Sequence, residues 1–354
     1  IDQTIQTINY CLNNNVKKII LISHLGKPNG VFNEELSLYP VKDYLKKNYN
    51  FDIDLCGLFN IKTSNKKITL LENIRFYNNE VNYKDNSFLK KYLSDLGDIF
   101  VNEAFGCCHR EHTSIIGIDC KYKVSGFLLQ KELNFLKYKI DNCDGPFVAI
   151  VGGSKVSDKI KLLNNLMPKI DHLIIGGGMA YTFLYGNDYL EIGDSLFDKE
   201  GFKLLDDIYN SANINNVEIH LPKDSVIADS FSNDSNYKIC EGDIEDGWMG
   251  LDIGPQTVKE FSDVIKKCKT ILWNGPMGVF EFDNFQSGSI GLAESIKEAT
   301  LNGSTSIVGG GDTSSFIINF GFFDDITHVS TGGGSSLKLL EEGTLVGIEF
   351  LDDE

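Results

Sequence analysis

Five short apolar runs in the second half of this chain each end in a glycine- or proline-bearing polar tip, and few folds admit that pattern. The tips read VGGSKVSDK (151–159), IGGGMA (175–180), WNGPMGVFE (273–281), VGGGDT (308–313) and STGGGSS (330–336). The runs before them include FVAIV (147–151), HLII (172–175), TILW (270–273) and TSIV (305–308). Strands buried on both faces of a parallel sheet read this way, short and uninterrupted. In an open parallel sheet, ligands bind beyond the carboxyl ends of the strands. Glycine there lets backbone N–H groups come close to a ligand and face a phosphate. One such tip says little; five on one sheet edge predict a polyphosphate site.

A chain of 354 residues exceeds one typical core, so two domains are expected. Its net charge of −17 lacks the basic footprint of a nucleic-acid binder. An acidic chain that binds phosphates must concentrate positive charge locally. No apolar stretch reaches the length that spans a bilayer, so no membrane partner is expected. The eight cysteines (11, 56, 107, 108, 120, 143, 240, 268) form no CxxC pair and no metal-spaced cluster. They read as reduced thiols of a cytoplasmic protein, the alternative being a secreted one with other pairings. The sequence opens at Ile1 with no signal-peptide pattern and reads as a piece of a longer polypeptide.

Residues 1–120 alternate helix and strand. Ile1, Ile5, Ile8 and Leu12 share a helical face, and KIILIS (18–23) is a strand ending at HLGKP. LSLYPVKDYLKKNY (36–49) is an amphipathic helix after Pro40. Strand ITLLEN (68–73), a charged helix around 85–96 and strand DIFVNEAF (98–105) follow. The alternation predicts a doubly wound α/β domain over 1–127. Leu129, Leu133, Leu136 and Ile140 share a face of a helix over 128–143, which reads as the connector. DGP (144–146) then opens a second domain over 144–334. A tail over 335–354, a short helix plus an acidic end, is expected to return to the first domain.

The tips differ in chemistry. GGSKVSDKI (152–160) reads as a glycine turn entering a helix, with Lys155 and Lys159 one turn apart; it lacks the GxxxxGK[ST] spacing of a Walker A loop. Alone, it reads equally as a tight turn with surface lysines. VGGGDT offers Asp312 as a Mg²⁺ ligand and Thr313 as a cap of the next helix, or Asp312 as an ordinary acid in a first helical turn. IGGGMA suits close approach to a base or ribose. WNGPMGVFE supplies Asn274 as a polar contact and Glu281 as a ribose partner, or is a Pro-Gly turn with a structural tryptophan. GLDIGPQT (250–257) reads as a further turn whose Gly250 and Leu251 line a base pocket. At STGGGSS a hinge competes with a phosphate contact.

The first domain's strand tips carry cations instead. SHLGKP (23–28), LENIRF (71–76) and NEAFGCCHREHTS (102–114) supply His24, Lys27, Arg75, His109, Arg110 and His112. Arginine suits bidentate recognition of carboxylate and phosphate, so the clusters predict a small, highly anionic substrate. Singly, each has a plainer reading: His109 and His112 as metal ligands, Arg75 paired to Glu72 at the surface, His24 as a structural histidine.

Assembled, these residues resemble the phosphoglycerate kinase family from Ile1 to about Gly343. SHLGKP, LLENIRF, AFGCCHREHTS, GFLLQKEL, GGSKVSDKI, GGGMAYTF, WMGLDIGPQT, WNGPMGVFE, GGGDT and HVSTGGGSSLKLLE stand in that family's order and spacing. The resemblance implies two doubly wound domains joined by a helix and hinges, a monomer, and the reaction 1,3-bisphosphoglycerate + ADP ⇌ 3-phosphoglycerate + ATP with Mg²⁺. It implies a 3-phosphoglycerate patch of His24, Leu25, Gly26, Lys27, Arg75, His109 and Arg110. It implies a nucleotide site of Ser154, Lys155, Lys159, Gly177, Gly178, Gly250, Leu251, Asn274, Pro276, Glu281, Gly309, Gly310, Gly311, Asp312 and Thr313. Asp312 resembles the metal ligand, and Thr331–Gly334 the hinge segment. Lys159, Gly310 and Gly311 are expected to neutralise the moving phosphoryl group, by direct in-line transfer on domain closure.

Lys27 stands where the family has arginine, which removes a bidentate fork, and Glu103 stands where aspartate is usual. The family's first strand, an Arg-x-Asp-x-Asn run, is not in the sequence. Its absence is expected to leave a gap in the first domain's core and raises a rival reading, a catalytically inactive nucleotide-binding paralogue or fragment. A third reading, prompted by Lys27, is a kinase for a different small acid.

Overall fold

The computed structural model describes residues 1–352 except Asn86 and Tyr189. Asp353 and Glu354, the end of the expected acidic tail, lie outside the described residues, as does Asn86 in the expected charged helix. The fold is mixed α/β with parallel sheets, in two units: residues 1–132 with 344–354, and residues 133–343.

In the first unit, β1 (Ile19–Leu21), β2 (Ile53–Cys56) and β3 (Ile68–Leu71) form a parallel sheet in the order β1-β3-β2. β4 (Ile99–Asn102) and β5 (Tyr122–Ser125) form a second parallel pair. The single sheet expected here is thus two sheets, and β1 and β4 each pair with one strand among the described residues. The helix Tyr39–Tyr49 carries Pro40 in its first turn, where a missing N–H costs nothing, and ends at Asn50 with φ +54°. Leu38 and Leu45 then pack with Ile5, Ile8, Ile53, Ile68 and Leu70.

The second unit is built on β6 (Phe147–Val151), β7 (His172–Ile175), β8 (Glu218–His220), β9 (Asp224–Ala228), β10 (Tyr237–Glu241), β11 (Met249–Ile253), β12 (Thr270–Asn274), β13 (Thr305–Val308) and β14 (His328–Val329). Six of these make one sheet in the order β14-β13-β12-β6-β7-β8. Every pairing in it is parallel, so the carboxyl ends of all six strands lie along one edge. β6 and β12 are buried at every residue, as their unbroken apolar runs require. Trp273, Phe316, Val148, Ile174 and Leu292 are among the residues of its core.

β9, β10 and β11 form a separate antiparallel sheet in the order β10-β9-β11, which the sequence pattern does not anticipate. β10 is largely exposed and carries no apolar run. Residues 250–253, expected as a turn, belong to β11; the chain turns at Gly254, before the helix Pro255–Ile265.

The connecting helix runs as Phe127–Leu133, a π turn at Asn134–Tyr138 and a last segment Lys139–Asp141. Leu129, Leu133, Leu136 and Ile140 are all buried. The division between units falls inside it, at Glu132/Leu133, and again at Gly343/Thr344, where the sequence suggested 127/128, 143/144 and 334/335. The later second break has a simple cause. The helix Gly334–Glu342 packs on the helix Ile160–Leu166, and Asn165 Nδ2 donates to Leu340 O at 2.6 Å.

Phe316 sits 5.7 Å from the Trp273 ring and 5.4 Å from Phe280, edge to face. Phe316→Ala should therefore cost about 3–5 kcal/mol. Urea unfolding followed by circular dichroism measures this, and a loss under about 1 kcal/mol would show that the core collapses around the hole.

Candidate active-site clusters

In the first unit, one asparagine builds the cationic cluster. Asn73, fully buried just past β3, donates from Nδ2 to Leu25 O (2.7 Å) and Leu36 O (2.9 Å) and accepts at Oδ1 from the Arg75 N–H (3.1 Å). It thereby ties the loop after β1 to the turn after β3. Arg75 is buried, and its Nη1 donates to Gly26 O at 2.8 Å. Its Nη2 is also buried and has no hydrogen-bond partner among the described residues, which leaves that guanidinium edge open to a bound acceptor. Glu72 does not pair with it: that carboxylate accepts from Ser37 Oγ, Leu38 N–H and Asn73 N–H. Gly26 needs its φ of +63°, and a Cβ there would lie 2.8 Å from Leu36 Cδ2.

Burial and the neighbouring charges shift several titratable groups in this cluster. Burial, with Arg75 and Arg110 beside it, lowers His24 to about 4. Burial and the same arginines, with His24 and His109, lower His112 to about 4. Arg110 Nε donates to His109 Nε2 at 3.1 Å. Glu80, 3.6 Å from His112 Nδ1, is raised to about 7 by burial, although Ser114 donates to it from both N and Oγ. His112 thus faces Glu80 rather than a metal-ligand set. Leu25, Gly26 and Lys27 are exposed, and Lys27 makes no ion pair with a described residue. Glu103 is structural. It accepts from Thr7 Oγ1 and, at the start of the helix Phe127–Leu133, from the N–H groups of Leu128 (3.1 Å) and Leu129 (3.2 Å).

In the second unit the five tips follow β6, β7, β12, β13 and β14, all on the carboxyl edge of one sheet. They pack backbone against backbone. A Cβ on Gly152 would lie 2.1 Å from Pro276 O, and one on Gly275 (φ +103°) 2.2 Å from Gly152 O. Met179 N–H donates to Gly153 O, and Gly177 N–H to Met277 O. Gly178 lies in the same turn, where a Cβ would approach Ser154.

Lys159 is turned inward. Its Nζ donates to Asn274 Oδ1 at 2.5 Å, and Asn274 Nδ2 donates to Gly309 O at 2.8 Å. One asparagine therefore joins the tips of β6, β12 and β13. Burial pulls Lys159 below its ordinary range, and Glu341, Asp312 and Asp158 oppose that shift. The helix Gly311–Asn319 starts just past Gly310 (φ +96°), so its first N–H groups face out beyond β13. Asp312 is exposed in that first turn.

Several expected placements change. Lys155 and Lys159 are not one helical turn apart, because the helix begins only at Ile160; Ser157 N–H, bonded to Asp198 Oδ2 at 2.9 Å, holds the preceding loop open. Lys155 and Ser154 are exposed on that loop. Thr313 does not cap its helix; already inside the first turn, its Oγ1 accepts from Gly275 N–H at 2.7 Å. Gly250 and Leu251 are buried in β11, Leu251 against Val226, Ala228 and Phe285. Glu281 is exposed beyond β12. Thr331–Gly334 lie within the second unit, next to Ser330, whose carbonyl accepts from Ser314 Oγ. Glu341, absent from the sequence-based candidates, influences Lys159 from the helix Gly334–Glu342; no local pattern marks it, since tertiary packing alone brings it there.

Parallel α/β units with glycine tips on one carboxyl edge define a nucleotide-type α/β protein. The family model described as phosphoglycerate kinase matches residues 1–343. The chain is 45% identical to phosphoglycerate kinase of Dictyostelium discoideum, covering 100% of this chain and 90% of that protein. It is 43% identical to that of Plasmodium falciparum, covering 100% and 91%. The solved phosphoglycerate kinase of Coxiella burnetii superimposes with a TM-score of 0.89 at 36% identity, covering 98% of this chain and 89% of that one. The chain belongs to the phosphoglycerate kinase family, and it is a phosphotransferase of glycolysis.

His24 and His112 should titrate near pH 4 in the free protein rather than near 6.5. Their folded values are depressed, so the unfolded chain protonates first, and they withdraw stability as pH falls from 6.5 through about 4. Glu80 acts in the opposite sense, removing stability as pH rises from 4.5 through about 7. An NMR pH titration of the two imidazoles checks this; ordinary values would mean the cluster is open to water.

Proposed function

We propose that this chain moves a phosphoryl group reversibly between 1,3-bisphosphoglycerate and ADP, as a cytoplasmic monomer that requires Mg²⁺. The observation that carries this reading is Lys159, an ammonium drawn out of water and held by Asn274 beside the first turn of the helix Gly311–Asn319. A desolvated cation acts on phosphoryl oxygens far more strongly than a hydrated one. Eight free cysteines support a reducing compartment. Among the described residues, no helix is long and apolar enough to cross a membrane.

The chain's residues divide the roles. His24, Gly26, Lys27, Arg75, His109 and Arg110 bind the phosphoglycerate, with the free edge of Arg75 taking an anionic oxygen. Ser154, Lys155, the glycine turns at 177–178 and 309–311, Pro276 and Glu281 bind the nucleotide. Gly310 and Gly311 offer backbone N–H groups to the moving phosphoryl oxygens, and Lys159 neutralises their charge. Asp312 fits a hard cation: it is an exposed carboxylate in no ion pair with a described residue, and it would hold Mg²⁺. When bound, Mg²⁺ supplies charge neutralisation across the nucleotide phosphates. Transfer is direct and in line, with no covalent enzyme intermediate.

Arg75→Ala should raise the KM for 3-phosphoglycerate about tenfold or more, as expected for a lost charge-assisted contact. A coupled ATP-consumption assay reads it, and an unchanged KM removes Arg75 from the substrate site. Asp312→Ala should abolish turnover in the same assay; full activity discards the metal role. Nucleotide binding without turnover in the unmodified protein would favour an inactive nucleotide-binding member of the family.

A further inference from the structure

A second cluster of ligand-type side chains lies at the other end of the second unit's strands. His172 is the first residue of β7, opposite in the chain to that strand's glycine tip. In the parallel register His172 faces Glu218, and Ile174 faces His220. Glu218 and His220 are two apart on β8 and so point to the same side of the sheet. The register thus gathers two imidazoles and a carboxylate on one face of the sheet's edge.

Their ligand atoms converge. His172 Nδ1 lies 3.1 Å from His220 Nε2 and 3.4 Å from Glu218 Oε2. His220 Nε2 lies 3.9 Å from the same carboxylate oxygen. Tetrahedral coordination at about 2.0–2.1 Å separates ligand atoms by roughly 3.3–3.4 Å. The three separations bracket that value, so one cation reaches all three atoms with little rearrangement. The histidine side chains are 25% and 17% exposed, while Glu218 is 68% exposed, which leaves a fourth position open to water. The ring that now donates in the His172–His220 contact has only to carry its proton on its other nitrogen.

We propose that His172, Glu218 and His220 form a binding site for a zinc-class divalent transition-metal ion, with water as the fourth ligand. Two imidazoles and one carboxylate are a zinc-type set, whereas Mg²⁺ prefers six oxygens. The ion would bridge β7 to the edge strand β8 and so tie down the border of the sheet. The site is separate from the glycine tips, and it stands or falls independently of the phosphotransfer reading.

The test is calorimetric titration of the full, chelator-stripped chain with Zn²⁺ at neutral pH, repeated with Co²⁺ while recording absorption. The expected result is one Zn²⁺ per chain, undisturbed by Mg²⁺, with a Co²⁺ spectrum of nitrogen and oxygen ligation. His172→Gln/His220→Gln should weaken binding roughly 100-fold and Glu218→Gln roughly tenfold. An unchanged circular dichroism spectrum and unfolding midpoint in all three metal-free proteins certify folding; Glu218→Gln, at a largely exposed side chain, carries the test if the double variant does not fold. Equal Zn²⁺ affinity in the unmodified protein and Glu218→Gln, or a sulfur-to-cobalt charge-transfer band that survives the substitutions, overturns the site.

Discussion

The second unit rests on two glycine backbones that touch. Gly152 and Gly275 end neighbouring strands, and any side chain on either would overlap the other's carbonyl. That contact brings the tips of β6 and β12 together closely enough for Lys159 to reach Asn274, and for Asn274 to reach the tip of β13. The parallel direction of the sheet supplies the edge, and the missing Cβ atoms close it up. Asn274 then uses both ends of its amide, accepting from a cation on one side and donating to a carbonyl on the other.

The first unit solves a different problem, how an acidic chain holds cations together. In a chain of net charge −17, a cation kept away from carboxylates must be held in place by neutral groups. Arg75 is, because Asn73 fixes the backbone on which it sits and Gly26 accepts one of its nitrogens. Around it, acceptors are scarce. Glu72 is occupied by Ser37, Leu38 and Asn73, and burial drives Glu80 toward its neutral form. The imidazoles nearby are kept neutral by burial and by the same positive field. The result is a guanidinium edge with no hydrogen-bond partner among the described residues.

Much of this was legible in the sequence, for identifiable reasons. FVAIV, HLII and TSIV appear as strands at the limits read from their apolar runs, because each ends in buried apolar residues that run up to the glycine tip. Illegible were elements whose pattern is weak: β10, largely exposed, and β8, three residues long. Lys155 and Lys159 were misplaced because a helical spacing was assumed where Asp198, from a distant segment, pins the loop. The His172–Glu218–His220 cluster escaped because only the β7–β8 register, a tertiary fact, makes neighbours of segments far apart in the chain.

The eight cysteines have a chemical consequence. In every one of them burial is the leading influence, and it pushes the thiol above its ordinary range, up to about 12 at Cys108 and about 11 at Cys268. Even Cys107, beside Arg75 and Arg110, is raised. Attack on peroxides, disulfides and alkylating agents needs the thiolate, which is scarce here at neutral pH. A chain rich in sulfur is thereby poor in nucleophiles, and its cationic cluster can gather anions without becoming a target of oxidants.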